Sequence, residues 1–107
     1  MNIITGMKKG SFGKKVRELR EAKNYSIKKL ATALGVNYTY VSKIENNKSI
    51  PSSELIEKLA MVFNVDINEL KLQAGKIPDD VLDILKSNPK KVIEYLRREF
   101  ADTQGLK

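Results

Sequence analysis

Between Ile27 and Ile44 the apolar residues fall where two short helices touch when they cross with a tight turn between them. Such a pair needs apolar side chains at the contact, a small residue where the backbones approach, and a turn residue that accepts positive φ. Leu30, Leu34, Val36, Val41 and Ile44 supply the contacts, Ala31 is the small residue and Gly35 is the turn residue. Ser26 and Asn37 stand where the N-caps of the two helices belong. The arrangement needs no insertion. The same residues also suit a plain helical hairpin with a glycine turn, so the pattern alone leaves that alternative open.

The flanking residues extend a helical reading in both directions. Phe12, Val16 and Leu19 lie on one face of a helix that starts after Ser11, runs to about Lys23 and stops at Asn24. A helix after Asn37 ends near Asn46 and Asn47, because Asn is second only to Gly in tolerating φ > 0. Pro51 blocks any continuation, and Ser52 or Ser53 caps a helix with Leu55, Ile56, Leu59, Ala60 and Phe63 inward. Asp66 and Glu69 form a variant capping box for a short helix with Ile67, Leu70 and Leu72 as its apolar set. Ala74, Gly75 and Lys76 form a break. Two further amphipathic helices are expected after Pro78 and Pro89, carrying Val81, Leu82, Ile84 and Leu85, then Val92, Ile93, Tyr95, Leu96 and Phe100. Residues 1–10 read as a basic N-terminal arm, and residues 101–107 are expected to fray. No stretch shows sustained strand alternation.

At 107 residues the chain is one domain's worth. No apolar run is long enough to span a bilayer, and no signal-peptide stretch opens the sequence, which points to a cytoplasmic, nucleoid-associated protein with no membrane partner. Cys and His are both absent, which removes thiolate and imidazole chemistry, so no metal, cofactor or catalytic residue is expected. The net charge of +7 is unevenly placed. Residues 1–48 hold eleven Lys or Arg against three acids, whereas residues 77–107 hold six of each. A basic excess confined to one half attracts phosphate backbones, although a solvated lysine-rich surface has the same composition.

Three strings then make the chain resemble a known family: Phe12 to Arg20 (FGKKVRELR), Ser26 to Val36 (SIKKLATALGV) and Val41 to Lys48 (VSKIENNK), followed by Pro51-Ser52. The sequence is similar to lambda-repressor-like, Cro-type helix-turn-helix proteins, the xenobiotic-response-element family, over residues 12 to about 74. The resemblance implies an all-α fold. A five-helix DNA-binding domain would occupy residues 11–75, with one or two appended helices over 76–107. It also implies sequence-specific binding of double-stranded DNA as a symmetric homodimer.

The family's functional positions carry over one at a time. Tyr38, Thr39 and Lys43 match positions that touch base edges in the major groove; Lys suits guanine O6 or N7, and Thr a hydrogen bond or a thymine methyl. Tyr40 and Ser42 flank that face and, with Lys28, Lys29 and Lys48, are expected to meet phosphate or sugar. The alternative for Tyr38 and Tyr40 is packing against the second helix. Backbone amides over 46–48 are further phosphate candidates. Arg20 and Glu45 match a structural salt bridge between the first and third helices. Two residues depart from the family pattern. Ile27 stands where most members carry a Gln that braces the interface, and Asn47 where Gly is usual.

The last two helices are apolar enough to need a partner surface. Dimerisation or protein binding through residues 77–100 is favoured over packing back on the first domain. The leading functional expectation is a transcriptional repressor on a palindromic operator. The competing readings are an antitoxin that represses its own promoter, and a protein-interaction module built on the same fold.

Overall fold

The computed structural model describes residues 11–101, all of them helical or in connecting turns. The arm expected over residues 1–10 lies outside the described residues, as do 102–107. The chain divides into two compact units, the first ending at Lys76 and the second starting at Ile77.

The first unit holds α1 (Ser11–Ala22), α2 (Ile27–Leu34), α3 (Tyr38–Glu45), α4 (Ser53–Phe63) and α5 (Ile67–Gln73). Four of these helices open the same way. Ser26, Asn37, Ser52 and Asp66 are extended N-caps whose side-chain oxygens accept from the amides of Lys29, Thr39, Leu55 and Glu69. All five described helices of this unit also close alike. Asn24, Gly35, Asn47, Asn64 and Gly75 have positive φ, and the following amide donates to a carbonyl five residues back. The bonds are Tyr25 to Arg20 (3.1 Å), Val36 to Ala31 (3.0 Å), Lys48 to Lys43 (2.8 Å), Val65 to Ala60 (3.0 Å) and Lys76 to Lys71 (2.8 Å). This is the Schellman closure, which reverses the chain at once and satisfies end carbonyls. Short helices with sharp reversals at both ends can wrap one small core.

That core takes Phe12 and Val16 from α1, Leu30, Ala31 and Leu34 from α2, Val41 and Ile44 from α3, Leu55, Ile56, Leu59, Ala60 and Phe63 from α4, and Leu70 from α5. Each helix thus buries one stripe and leaves its opposite face to water. Ile27 and Val36 pack only partly against the cluster. Ile67 and Leu72, expected inward on α5, are exposed, because a seven-residue helix turns only one apolar position fully toward the core.

Among the described residues, one charged residue is buried with this core. The Glu45 side chain is 1% exposed, and Arg20, at 12%, grips it with Nε to Oε2 at 2.6 Å and Nη2 to Oε1 at 3.1 Å. The Arg20 Nη1 donates to the Tyr25 carbonyl at 2.8 Å, so the guanidinium joins α1, the α1–α2 turn and α3. The hydrogen bonds that Arg20 donates to Glu45 raise the guanidinium pKa above its ordinary value, and burial opposes them.

The second unit contains α6 (Asp79–Ser87), α7 (Pro89–Leu96) and a π-helical turn over Arg97–Ala101. Asn88, at φ −139° and ψ 53°, breaks the path between α6 and α7, as the residue before Pro89 is pushed out of the helical region. Neither helix has a buried residue. Val81, Ile84, Ile93, Tyr95, Leu96 and Phe100 are all exposed. The apolar spacing does not signal the widened π turn, because Leu96 and Phe100 keep a four-residue interval that suits an α-helix. Among the described residues, no helix is long and apolar enough to cross a membrane.

Removing one member of a buried ion pair strands the other, at a cost of about 3–5 kcal/mol. Arg20→Ala is therefore expected to lower unfolding free energy by roughly that amount. The double variant Arg20→Met/Glu45→Leu, which removes both charges, should lose less than the single one. Urea unfolding followed by circular dichroism measures both.

Candidate nucleic-acid interface

The core divides α3 into two faces. Val41, Ile44 and Glu45 are buried, Thr39 and Lys43 lie on the opposite side, and Tyr38, in the first turn at the edge of the buried stripe, is exposed as they are. Asn37 starts the helix by accepting the Thr39 amide at 2.7 Å, which fixes the first turn and the directions of Tyr38 and Thr39. Thr39 and Lys43 are one turn apart, so they share a ridge. Tyr38 is 50% exposed, so its ring is not core material. Tyr40 differs: it is half-buried, with its ring packed against the core cluster.

The cations around α3 are partly organised by aromatic rings. Lys28, on the first turn of α2, holds its ammonium 5.3 Å from the centre of the Tyr38 ring. Lys29 and Lys23 lie 4.6 Å and 5.6 Å from the Tyr25 ring. Each is within reach of the ring quadrupole. Lys28 thus ties the start of α2 to the start of α3, and both Lys28 and Lys29 are exposed. Ile27, where the resemblance expects a bracing Gln, is partly buried against the core. The Lys28–Tyr38 contact stands next to it and links the same two helix starts.

At the far end of α3, Lys48 is exposed and Ser42 half-buried. The Ser42 carbonyl accepts from Asn46 Nδ2 at 2.9 Å. The backbone amides of 46–48 are already engaged, donating to the carbonyls of Ser42, Ile44 and Lys43. They close the helix, and the Lys48 side chain is an exposed cation beside them. This corrects the expectation that those amides meet phosphate.

Sequence reasoning missed two participants. Arg17 places Nε 3.4 Å from Glu45 Oε1 and donates through Nη2 to Asn46 Oδ1 at 3.2 Å. Gly13, buried on α1, donates its amide to Asn47 Oδ1 at 3.0 Å. The signal for Arg17 was present: it lies three residues before Arg20, on the same side of α1. Nothing in the sequence pairs Gly13 with a residue 34 positions away.

Comparison with known proteins meets this geometry from outside. A family model described as Helix-turn-helix matches residues 16–70. The "ImmF control region 10 kDa protein" of Bacillus phage phi105 is 33% identical over 78 residues, 73% of this chain and 83% of that protein. The HTH-type transcriptional repressor RghR of Bacillus subtilis is 37% identical over 70 residues, 64% of this chain and 52% of that protein. A crystal structure of SinR, a master regulator for biofilm formation, in complex with DNA superimposes with a TM-score of 0.52 and 35% identity. That match covers 55% of this chain and 95% of the SinR chain. The chain thus spans most of the phage protein but only about half of RghR.

A cation–π contact at an exposed site contributes about 0.5–1 kcal/mol. A double-mutant cycle on Lys28→Met and Tyr38→Leu, read by thermal unfolding, is expected to return a coupling of that size. Additive effects would show that Lys28 does not hold Tyr38.

Proposed function

This chain belongs to the helix-turn-helix family of DNA-binding transcriptional regulators, and we propose that it is a repressor that occupies a palindromic operator as a homodimer. The observation that carries the reading is the two-faced α3. Its buried face and the Glu45 pair anchor it, Thr39 and Lys43 stand clear on the other side, and Tyr38 is exposed at its leading end. A helix so mounted enters the major groove with its leading side chains at base edges. The likeness to a SinR chain bound to DNA and to the repressor RghR supports the same reading.

In this proposal Tyr38, Thr39 and Lys43 read bases. Lys28, Lys29, Tyr40, Ser42 and Lys48 contact phosphate or sugar, with Lys28 also steadying the Tyr38 ring. The basic excess over residues 1–48 draws the duplex to this side of the protein. The second unit supplies the dimer contact: α6, α7 and the π-helical turn leave Val81, Ile84, Ile93, Tyr95, Leu96 and Phe100 exposed, and their segment carries no net charge to repel a second copy. Half-sites then lie about 10 bp apart, one duplex turn. The protein acts in the cytoplasm, on the nucleoid.

Selection of bound duplexes from a random pool tests this. The wild type is expected to return a two-fold symmetric consensus. Substituting Tyr38, Thr39 or Lys43 should change the bases selected, at about 1–3 kcal/mol per lost contact. Lys48→Ala should weaken all duplexes alike and reduce the log–log salt slope by about 0.9. A wild type that selects no consensus contradicts the reading.

A further inference from the structure

We propose that Gly13 and Asn47 form a joint that sets the angle of the recognition helix α3, with Asn47 acting as a cap for α1 as well as the end of α3. This rests on the DNA-reading role of α3 proposed above. Gly13 is the third residue of α1 and buried, and its φ is not in the left-handed region. Its own backbone does not call for glycine, and a helix interior is stabler with alanine. The requirement comes from across the fold. A Cβ at Gly13 would lie 2.6 Å from the carbonyl oxygens of both Ile44 and Glu45, and 2.7 Å from Asn47 Oδ1. Two of those three atoms are backbone, so no rotamer change relieves the clash. The hydrogen that occupies this direction in glycine points at the two carbonyls, a close Cα–H approach.

The Gly13 amide is one of the first-turn donors of α1 that have no partner inside their own helix. It finds one in Asn47 Oδ1 at 3.0 Å. The positive end of α1 thus meets the negative end of α3, an arrangement that the two helix dipoles favour. Asn47 has φ 59°, so its position needs a residue that tolerates the left-handed region and also carries an acceptor. Asn does both. Gly, usual in the family at this position, does only the first. Arg17 reaches Asn46 beside the same joint.

The joint sits at one end of α3, and the DNA-reading residues Tyr38 and Thr39 sit at the other. An eight-residue helix is about 12 Å long. A side chain at Gly13 must push the last turn of α3 away by roughly 1 Å to reach normal contact distance. That tilts the helix about its packed middle at Val41 and moves the leading side chains against the bases. Gly13 and Asn47 are therefore positioning residues: neither touches DNA in this account, yet both affect selectivity.

The test uses full-length protein and the duplex that the wild type selects, with a scrambled duplex of equal length and composition as reference. Binding is measured by fluorescence anisotropy well below each variant's Tm, with circular dichroism confirming the folded state. Gly13→Ala and Asn47→Gly are each expected to bind the selected duplex about tenfold more weakly while the scrambled duplex and the salt slope barely change. The specificity ratio falls as a result. Asn47→Asp restores the acceptor but adds negative charge. It should weaken both duplexes together and keep the ratio. If Gly13→Ala fails to fold, Asn47→Gly still reports, since glycine keeps the left-handed turn. A ratio equal to wild type in Asn47→Gly, whatever happens to its Tm, overturns the joint while leaving DNA reading intact. A wild type that selects no duplex overturns both.

Discussion

The arrangement of the first unit depends on one buried carboxylate. Glu45 sits on the inward face of α3, and a lone carboxylate there would be costly to desolvate. Arg20 makes that position tenable with a two-bond fork and passes the constraint to the Tyr25 carbonyl. The pair is weak evidence of net stability, because apolar residues of similar shape could do as well. Its effect is on geometry. A bidentate fork accepts few orientations, so α3 is held to α1 at a defined angle. The face of α3 opposite Glu45 is thereby directed outward.

The helix α3 is fixed at three places, each by a different kind of force. Its start is capped by Asn37 and overlaid by the Lys28–Tyr38 contact. Its middle is packed through Val41 and Ile44. Its end is gripped by Arg20, Arg17 and the Gly13–Asn47 bond. A helix this short would not persist alone in water. Here it needs no intrinsic stability, and its outer face is free to carry residues chosen for contact with a partner.

How much of this was legible in the sequence depended on whether the signal was local. The N-caps at Ser26, Asn37, Ser52 and Asp66 could be read because capping joins residues two or three apart. The αL ends at Gly35 and Asn47 were visible for the same reason, and the apolar stripes followed helical period. The short α5 was over-read: Ile67 and Leu72 fit the period, but the helix is too small to bury them. The π turn at Arg97–Ala101 left no mark in apolar spacing. The Arg20–Glu45 pair was reached through family resemblance, since no spacing rule connects residues 25 apart. The Gly13–Asn47 contact was out of reach, because a glycine within a helical string looks like a weak point until the neighbouring backbone is seen.

The proposed DNA reading depends on α3 presenting its exposed face outward. The most direct check is a nitrogen-15 amide chemical-shift titration of the wild-type protein with its selected duplex. The account predicts the largest shifts over residues 37–43 and around Lys48, with α6 and α7 nearly unmoved at constant oligomeric state. Shifts concentrated in α4, α5 or the second unit, with 37–43 unchanged at saturation, would contradict it.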